Sequence, residues 1–183
     1  MKSPFISIPH KENVIVGDYP FADKVKKATL EALKFATNIP KTHTNVKASV
    51  HTSYIWEEDN IILNNFKKYI INEVETLHRP GFMADGTRHH LKCENFWAMI
   101  YEKGDYAQIH CHKPFHYSFA YFVKAKRDHA PFVFTESKIK IRPKEGRYVI
   151  FPGGLLHHVP PHRSDDKRIT LSGNLLVKWT KLE

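Results

Sequence analysis

Two hydrophobic periods divide this chain near residue 92. Upstream, apolar side chains recur at helical spacing. Phe21, Val25, Ala28, Ala32 and Ala36 follow Asp18, the expected N-cap, and Asn38-Ile39-Pro40 is the expected stop. A stronger stripe of Ile62, Phe66, Tyr69, Ile70, Val74 and Leu77 predicts a second helix over about 58–78. Arg79-Pro80-Gly81 would end it, with Glu58, Lys67, Lys68 and Glu75 on its wet side. Downstream the period becomes two, and strands are expected over 95–101, 106–112, 116–124, 131–134, 138–141, 147–151 and 168–177. Lys103-Gly104-Asp105, Pro114, Pro143–Gly146 and Pro152-Gly153-Gly154 punctuate them as turns. Short strands in this number after two helices predict an antiparallel double sheet backed by helices. The jelly-roll or cupin-like barrel, with a ligand site at its mouth, belongs to that class.

No repeat or domain-sized shift in composition interrupts the pattern. A single domain over 1–183 is expected, with 1–90 as helical support and 92–178 as the β-barrel core. Hydrophobic residues make up 42% and aromatics 13%, which suits a packed core and not a disordered chain. No apolar run approaches the roughly 18–20 residues of a membrane helix. The opening Met1-Lys2-Ser3-Pro4-Phe5-Ile6 lacks an apolar secretory core. With only Cys93 and Cys111, a disulfide framework is not expected, and a reducing cytoplasm fits best. The formal charge is +9. It reads first as a solvated basic face, and second as attraction to an acidic protein surface or nucleic acid. No aromatic-interleaved RNA-binding signature accompanies it.

The candidate chemistry lies in the strand region. His110 and His112 are two apart, so on a strand they share a face, with Gln108 beside them and Cys111 on the other side. His157-His158 follows Phe151-Pro152, and Arg168 comes later. Two histidines from one strand and a third from another would fill one face of a metal's coordination sphere. The remaining positions stay open to substrate and oxygen, as in non-haem iron oxygenases. A His-x-His pair alone is a weak signal; its combination with a later histidine and an arginine is more specific. On the last strand Arg168, Thr170, Ser172 and Asn174 share one face, opposite Ile169, Leu171 and Leu175. Small hydroxyls and an amide beside an arginine suit a pocket that holds a carboxylate, since Arg supplies a bidentate fork. A wet sheet face is the competing reading.

The segment Tyr101 to His112, the segment Phe151-Pro152-Gly-Gly-Leu-Leu-His157-His158-Val159-Pro160, and Arg168-Ile-Thr170-Leu-Ser172-Gly173-Asn174 resemble the metal-ligand and cosubstrate segments of the 2-oxoglutarate/Fe(II)-dependent oxygenases. The resemblance is nearest to the prolyl-hydroxylase-like group of phage and marine bacterial genomes, and it covers about residues 92–178. It implies a double-stranded β-helix core with Fe(II) on His110, His112 and His157, and it selects His157 over His158. It implies that Arg168 pairs with the distal carboxylate of 2-oxoglutarate, and it places Tyr101 where a tyrosine often bonds the cosubstrate. Ser118, inward by strand parity, is a further candidate, with Thr170 and Ser172. As plain packing, Tyr101 would be a core aromatic and Ser118 a buried hydroxyl bonded to backbone.

The implied reaction couples decarboxylation of 2-oxoglutarate, with O2, to hydroxylation of a C–H bond. The implied substrate is a peptide or protein side chain such as proline. The implied location is the cytoplasm, that of the host if the chain is of phage origin. Trp97, Phe115, Tyr117 and Phe122 are candidate walls, and His116 a candidate substrate contact. One departure stands out: His112 occupies the place where the family pattern has Asp or Glu. Two alternatives therefore stay open, a three-histidine cupin-type dioxygenase that does not use 2-oxoglutarate and a non-catalytic metal-binding barrel. Zinc is the competing metal.

Overall fold

The structure is a computed structural model that describes residues 13–39, 45–57, 59–77 and 87–181. Two antiparallel sheets face each other. The larger contains β1 (Ile15–Asp18), β9 (Arg147–Pro152), β6 (Tyr117–Lys124), β11 (Arg168–Lys181), β4 (Thr87–Tyr101) and β3 (Val50–His51), in that order. The smaller runs β2 (Val46–Lys47), β5 (Tyr106–His110), β10 (His157–Val159), β7 (Phe132–Phe134) and β8 (Lys140–Ile141). Helices α1 (Ala22–Leu33) and α2 (Ile61–Leu77) cover the outer face of the larger sheet. This is the expected helix-backed barrel.

The helical stripe of α2 explains that cover. Leu63, Phe66, Ile70 and Val74 are fully buried and meet Phe119, Tyr121, Ile169, Leu171 and Leu175 of the sheet. Each such side chain contributes about 1.5–3 kcal/mol on burial. Asn60 caps the helix, its Oδ1 accepting from the backbone N–H groups of Ile62 and Leu63. Two side chains assigned to the wet side of α2 do more than that. Lys67 places its ammonium 5.0 Å from the Phe96 ring centre, and Glu75 accepts a hydrogen bond from the Leu91 N–H. Glu58 and the expected stop at Arg79–Gly81 lie outside the described residues, as do Pro40 and the opening segment Met1–Ile6.

Asp18 is not the N-cap of α1. It ends β1 and pairs with Lys144 and Arg147, while Phe21 takes the cap position without a side-chain hydrogen bond. Nor is the N-terminal part only helical. It supplies β1 to β3, and β4 starts at Thr87, earlier than the alternation suggested. The reason is that β4 and β11 form a long hairpin-like pair, from Arg168↔Tyr101 to Lys181↔Thr87, which extends beyond the barrel.

Candidate metal centre and adjoining pocket

A cavity of about 330 Å³ lies between the two sheets. Its floor is the inward face of β4 and β11. There Arg168 stands opposite Tyr101, Thr170 opposite Met99, Ser172 opposite Trp97, and Asn174 opposite Asn95. The wet-face reading of β11 is excluded, because all four of its polar side chains are buried. Ile169, Leu171 and Leu175 point outward beneath the helices, as a period of two requires.

His110, His112 and His157 converge at the wall made by the smaller sheet. One ligand atom from each lies within 4.8 Å of the others. His157 sits directly across from His110 in the β10–β5 ladder, with ring centres 4.2 Å apart. His112 follows the end of β5, and its N–H donates to the Gly153 carbonyl at 2.7 Å. A Cβ on Gly153 would lie 2.1 Å from the Phe115 oxygen, so only glycine lets the two turns approach this closely. That contact brings His112 to within 5.0 Å of both other rings, centre to centre.

Hydrogen bonds orient two of the rings. His110 Nδ1 donates to the Gln108 carbonyl at 2.7 Å, and His157 Nδ1 to the Leu155 carbonyl at 2.8 Å. Each carbonyl only accepts, so the proton sits on Nδ1 and Nε2 is the free donor atom for a metal. Desolvation lowers the pKa of all three, and most strongly pushes His112 to about 3 and His157 to about 2. The imidazoles are therefore neutral near pH 7, the form that binds metal. His158 turns to the opposite face, where its Nδ1 lies 3.0 Å from the Thr135 hydroxyl.

Simple strand parity fails at β5. His157 opposes His110 but Val159 opposes Ala107, so β5 carries one extra residue in this stretch. Ala107 and His110 therefore face the cavity, while Gln108 is exposed. The strand also ends at His110, and Cys111 borders the cavity instead of lying on the far side.

Arg168 is 1% exposed, and its guanidinium lies 4.7 Å from the Tyr101 ring centre and 5.2 Å from that of Phe122. Its Nε and Nη1 have no partner among the described residues, and neither do Thr170 Oγ1 and Trp97 Nε1. Buried donors without partners are rare because each is costly. Here they face one cavity, so a polyanionic ligand fits where they converge. Three neutral imidazoles likewise suit a borderline divalent ion such as Fe(II). The residues present thus fit both an iron ion and 2-oxoglutarate.

Other candidates are placed differently. Tyr101 is fully buried below Arg168, its hydroxyl 3.4 Å from Met99 sulfur. Ser172 lines the cavity. Ser118 does not; its hydroxyl donates to Asn174 Oδ1 at 2.8 Å, and Asn174 Nδ2 donates to Asn95 Oδ1. Trp97 and Phe115 are walls, whereas Tyr117 packs in the outer core and Phe122 lies beneath Arg168. His116 is exposed and accepts from the Val177 N–H. Sequence reasoning missed His51, Tyr54 and Asn45, which also line the cavity. His51 lies parallel to Trp97 and comes from a two-residue strand with no periodicity to reveal it.

A sequence profile of the 2OG-Fe(II) oxygenase family matches residues 133–174, the stretch that carries His157 and Arg168. No curated protein matches the sequence significantly. Among solved structures, the chain is similar to a viral collagen prolyl hydroxylase of Paramecium bursaria Chlorella virus-1 in complex with 2-oxoglutarate. The TM-score is 0.61 at 14% identity, covering 88% of this chain and 94% of that one. A prolyl-4-hydroxylase of Pseudomonas putida gives 0.59 at 14% identity, covering 90% and 92%. HygX of Streptomyces hygroscopicus, with nickel and 2-oxoglutarate bound, gives 0.65 at 7% identity, covering 90% and 82%. These similarities show a shared fold, the double-stranded β-helix. The profile match over residues 133–174, the shared fold and the histidine triad make the chain similar to the 2OG-Fe(II) oxygenases.

Proposed function

We propose that His110, His112 and His157 hold Fe(II), and that Arg168 with Tyr101, Thr170 and Ser172 holds 2-oxoglutarate. The observation that carries this reading is the buried Arg168, whose Nε and Nη1 lack partners among the described residues and which lines the cavity that the three histidines enter. Bound iron supplies the redox chemistry that couples decarboxylation of 2-oxoglutarate to oxygen insertion into a substrate C–H bond. The chain does the rest. Arg168 forks onto the distal carboxylate and fixes the length of the cosubstrate against the floor. The Thr170 hydroxyl lies one inward step further along β11, with Ser172 beyond it. Ser118 acts one step removed, by holding Asn174 in place. Trp97, Phe115 and Phe151 exclude water from the reacting centre.

The substrate we propose is a peptide or protein side chain such as proline. Fold similarity to hydroxylases named for collagen and prolyl substrates supports this class. We also place the protein in the cytoplasm. Cys93 and Cys111 are both free thiols, and no helix among the described residues is long and apolar enough to cross a membrane. The test is succinate formation from 2-oxoglutarate by purified protein with Fe(II), together with a mass gain of one oxygen on proline-containing peptides. Succinate should form in the parent and not in His157→Ala. Full activity on a thiol substrate without 2-oxoglutarate would favour the cupin-type alternative, and no turnover at all the metal-binding barrel.

A further inference from the structure

The cavity has no acidic side chain. Among the described residues its lining holds Lys113 and Arg168 as cations and the three converging imidazoles, but no Asp or Glu. Asp105, a buried acid near Tyr101, is committed elsewhere, its Oδ2 accepting from the Glu102 N–H at 2.9 Å. A divalent ion held by three neutral imidazoles keeps its whole charge. Arg168 adds another unit to the same enclosed space, with no carboxylate to offset it. Like charges in a partly desolvated cavity repel strongly, and each is costly when left unpaired.

We infer that 2-oxoglutarate is the obligatory counter-ion of this site, so that metal and cosubstrate bind as a mutually dependent pair. The inference rests on the assignments proposed above. The chain lacks the carboxylate that would tighten its hold on a metal unaided, and the dianion provides it. His112 sets the dependence. Among the described residues its ring neighbours are His110, His157, Trp97 and Phe151, at 5.0, 5.0, 6.0 and 6.1 Å between centres. A carboxylate at this position would cancel one unit of the metal's charge, and no acidic side chain among the described lining residues does so. Linkage makes the effect reciprocal: 2-oxoglutarate tightens the metal by the same factor as the metal tightens 2-oxoglutarate.

The experiment measures that factor without turnover. Mn(II) is titrated under nitrogen by calorimetry into the parent, His112→Asp and His112→Asn, each with and without 2-oxoglutarate. His112→Asp should bind Mn(II) alone more tightly than the parent does. The gain in affinity caused by 2-oxoglutarate should be at least about tenfold larger in the parent than in His112→Asp. His112→Asn, neutral but of the size of Asp, should keep the parent's large gain. A gain equal in the parent and His112→Asp, or small in His112→Asn as well, overturns the inference while leaving the proposed function standing. Failure of 2-oxoglutarate to bind any Mn(II)-loaded form would remove the proposed function itself. Should the substitutions prevent folding, the unmodified protein supplies the test. Pyruvate keeps the chelating 2-oxo acid with one negative charge fewer, so it should raise Mn(II) affinity less than 2-oxoglutarate does; an equal effect contradicts the inference.

Discussion

At the scale of single residues, adjacent His157 and His158 differ completely in role because a strand turns neighbours to opposite faces. His157 enters the triad and His158 turns to Thr135. His157→Ala should therefore lose metal affinity by more than the 10–100-fold typical of removing an outer partner of a ligand. His158→Ala should leave it nearly unchanged in an anaerobic Mn(II) titration, and the reverse pattern would refute the geometry. The sequence made the triad and Arg168 legible because histidine pairs and a buried-face arginine are chemically conspicuous. It misplaced Gln108 and Cys111, since the extra residue in β5 leaves no mark in the alternation. It left out His51 because an isolated histidine on a two-residue strand carries no pattern.

At the scale of elements, the site depends on the turn after β9. Gly153 Cα faces the Phe115 carbonyl so closely that Gly153→Ala must push the two turns apart and carry His112 with them. That variant should stay folded by circular dichroism but lose most of its metal affinity; unchanged metal binding would detach His112 from this turn. Helix α2 acts on stability instead. Phe66 is fully buried against Phe119 and Tyr121, so Phe66→Ala should cost about 3–5 kcal/mol in denaturant unfolding. A loss below about 1 kcal/mol would mean that the helix does not brace the sheet. Both helices and the later strands except the three-residue β10 were legible from their periods, which reflect burial on one face. The short strands β2 and β3 were not, because two-residue pairings are set by tertiary contact with β5 and β4 and not by local pattern.

At the scale of the whole molecule, buried titratable groups set the response to acid. His129 is 2% exposed, neither ring nitrogen has a partner among the described residues, and desolvation followed by His162 lowers its pKa. Arg168 opposes its protonation as well, while Asp128 and Asp166 favour it. The unfolded chain takes up the proton near pH 6.5 and the folded one only lower, so stability present above that value falls as the pH drops through it. Thermal melts from pH 8 to pH 5 should show a steeper loss for the parent than for His129→Phe, and parallel curves would refute the assignment. In the function proposed above, Arg168, enclosed beside three convergent histidines and without a carboxylate partner among the described residues, receives the distal carboxylate of 2-oxoglutarate. A bidentate charge-assisted pair is worth about 1.5–3 kcal/mol, hence roughly tenfold or more in affinity. The most direct measurement is 2-oxoglutarate binding to Mn(II)-loaded protein under nitrogen, in the parent and in Arg168→Ala. The variant should bind at least about tenfold more weakly with no loss of Mn(II) affinity in the absence of 2-oxoglutarate, and equal 2-oxoglutarate affinity in the two proteins would contradict the account.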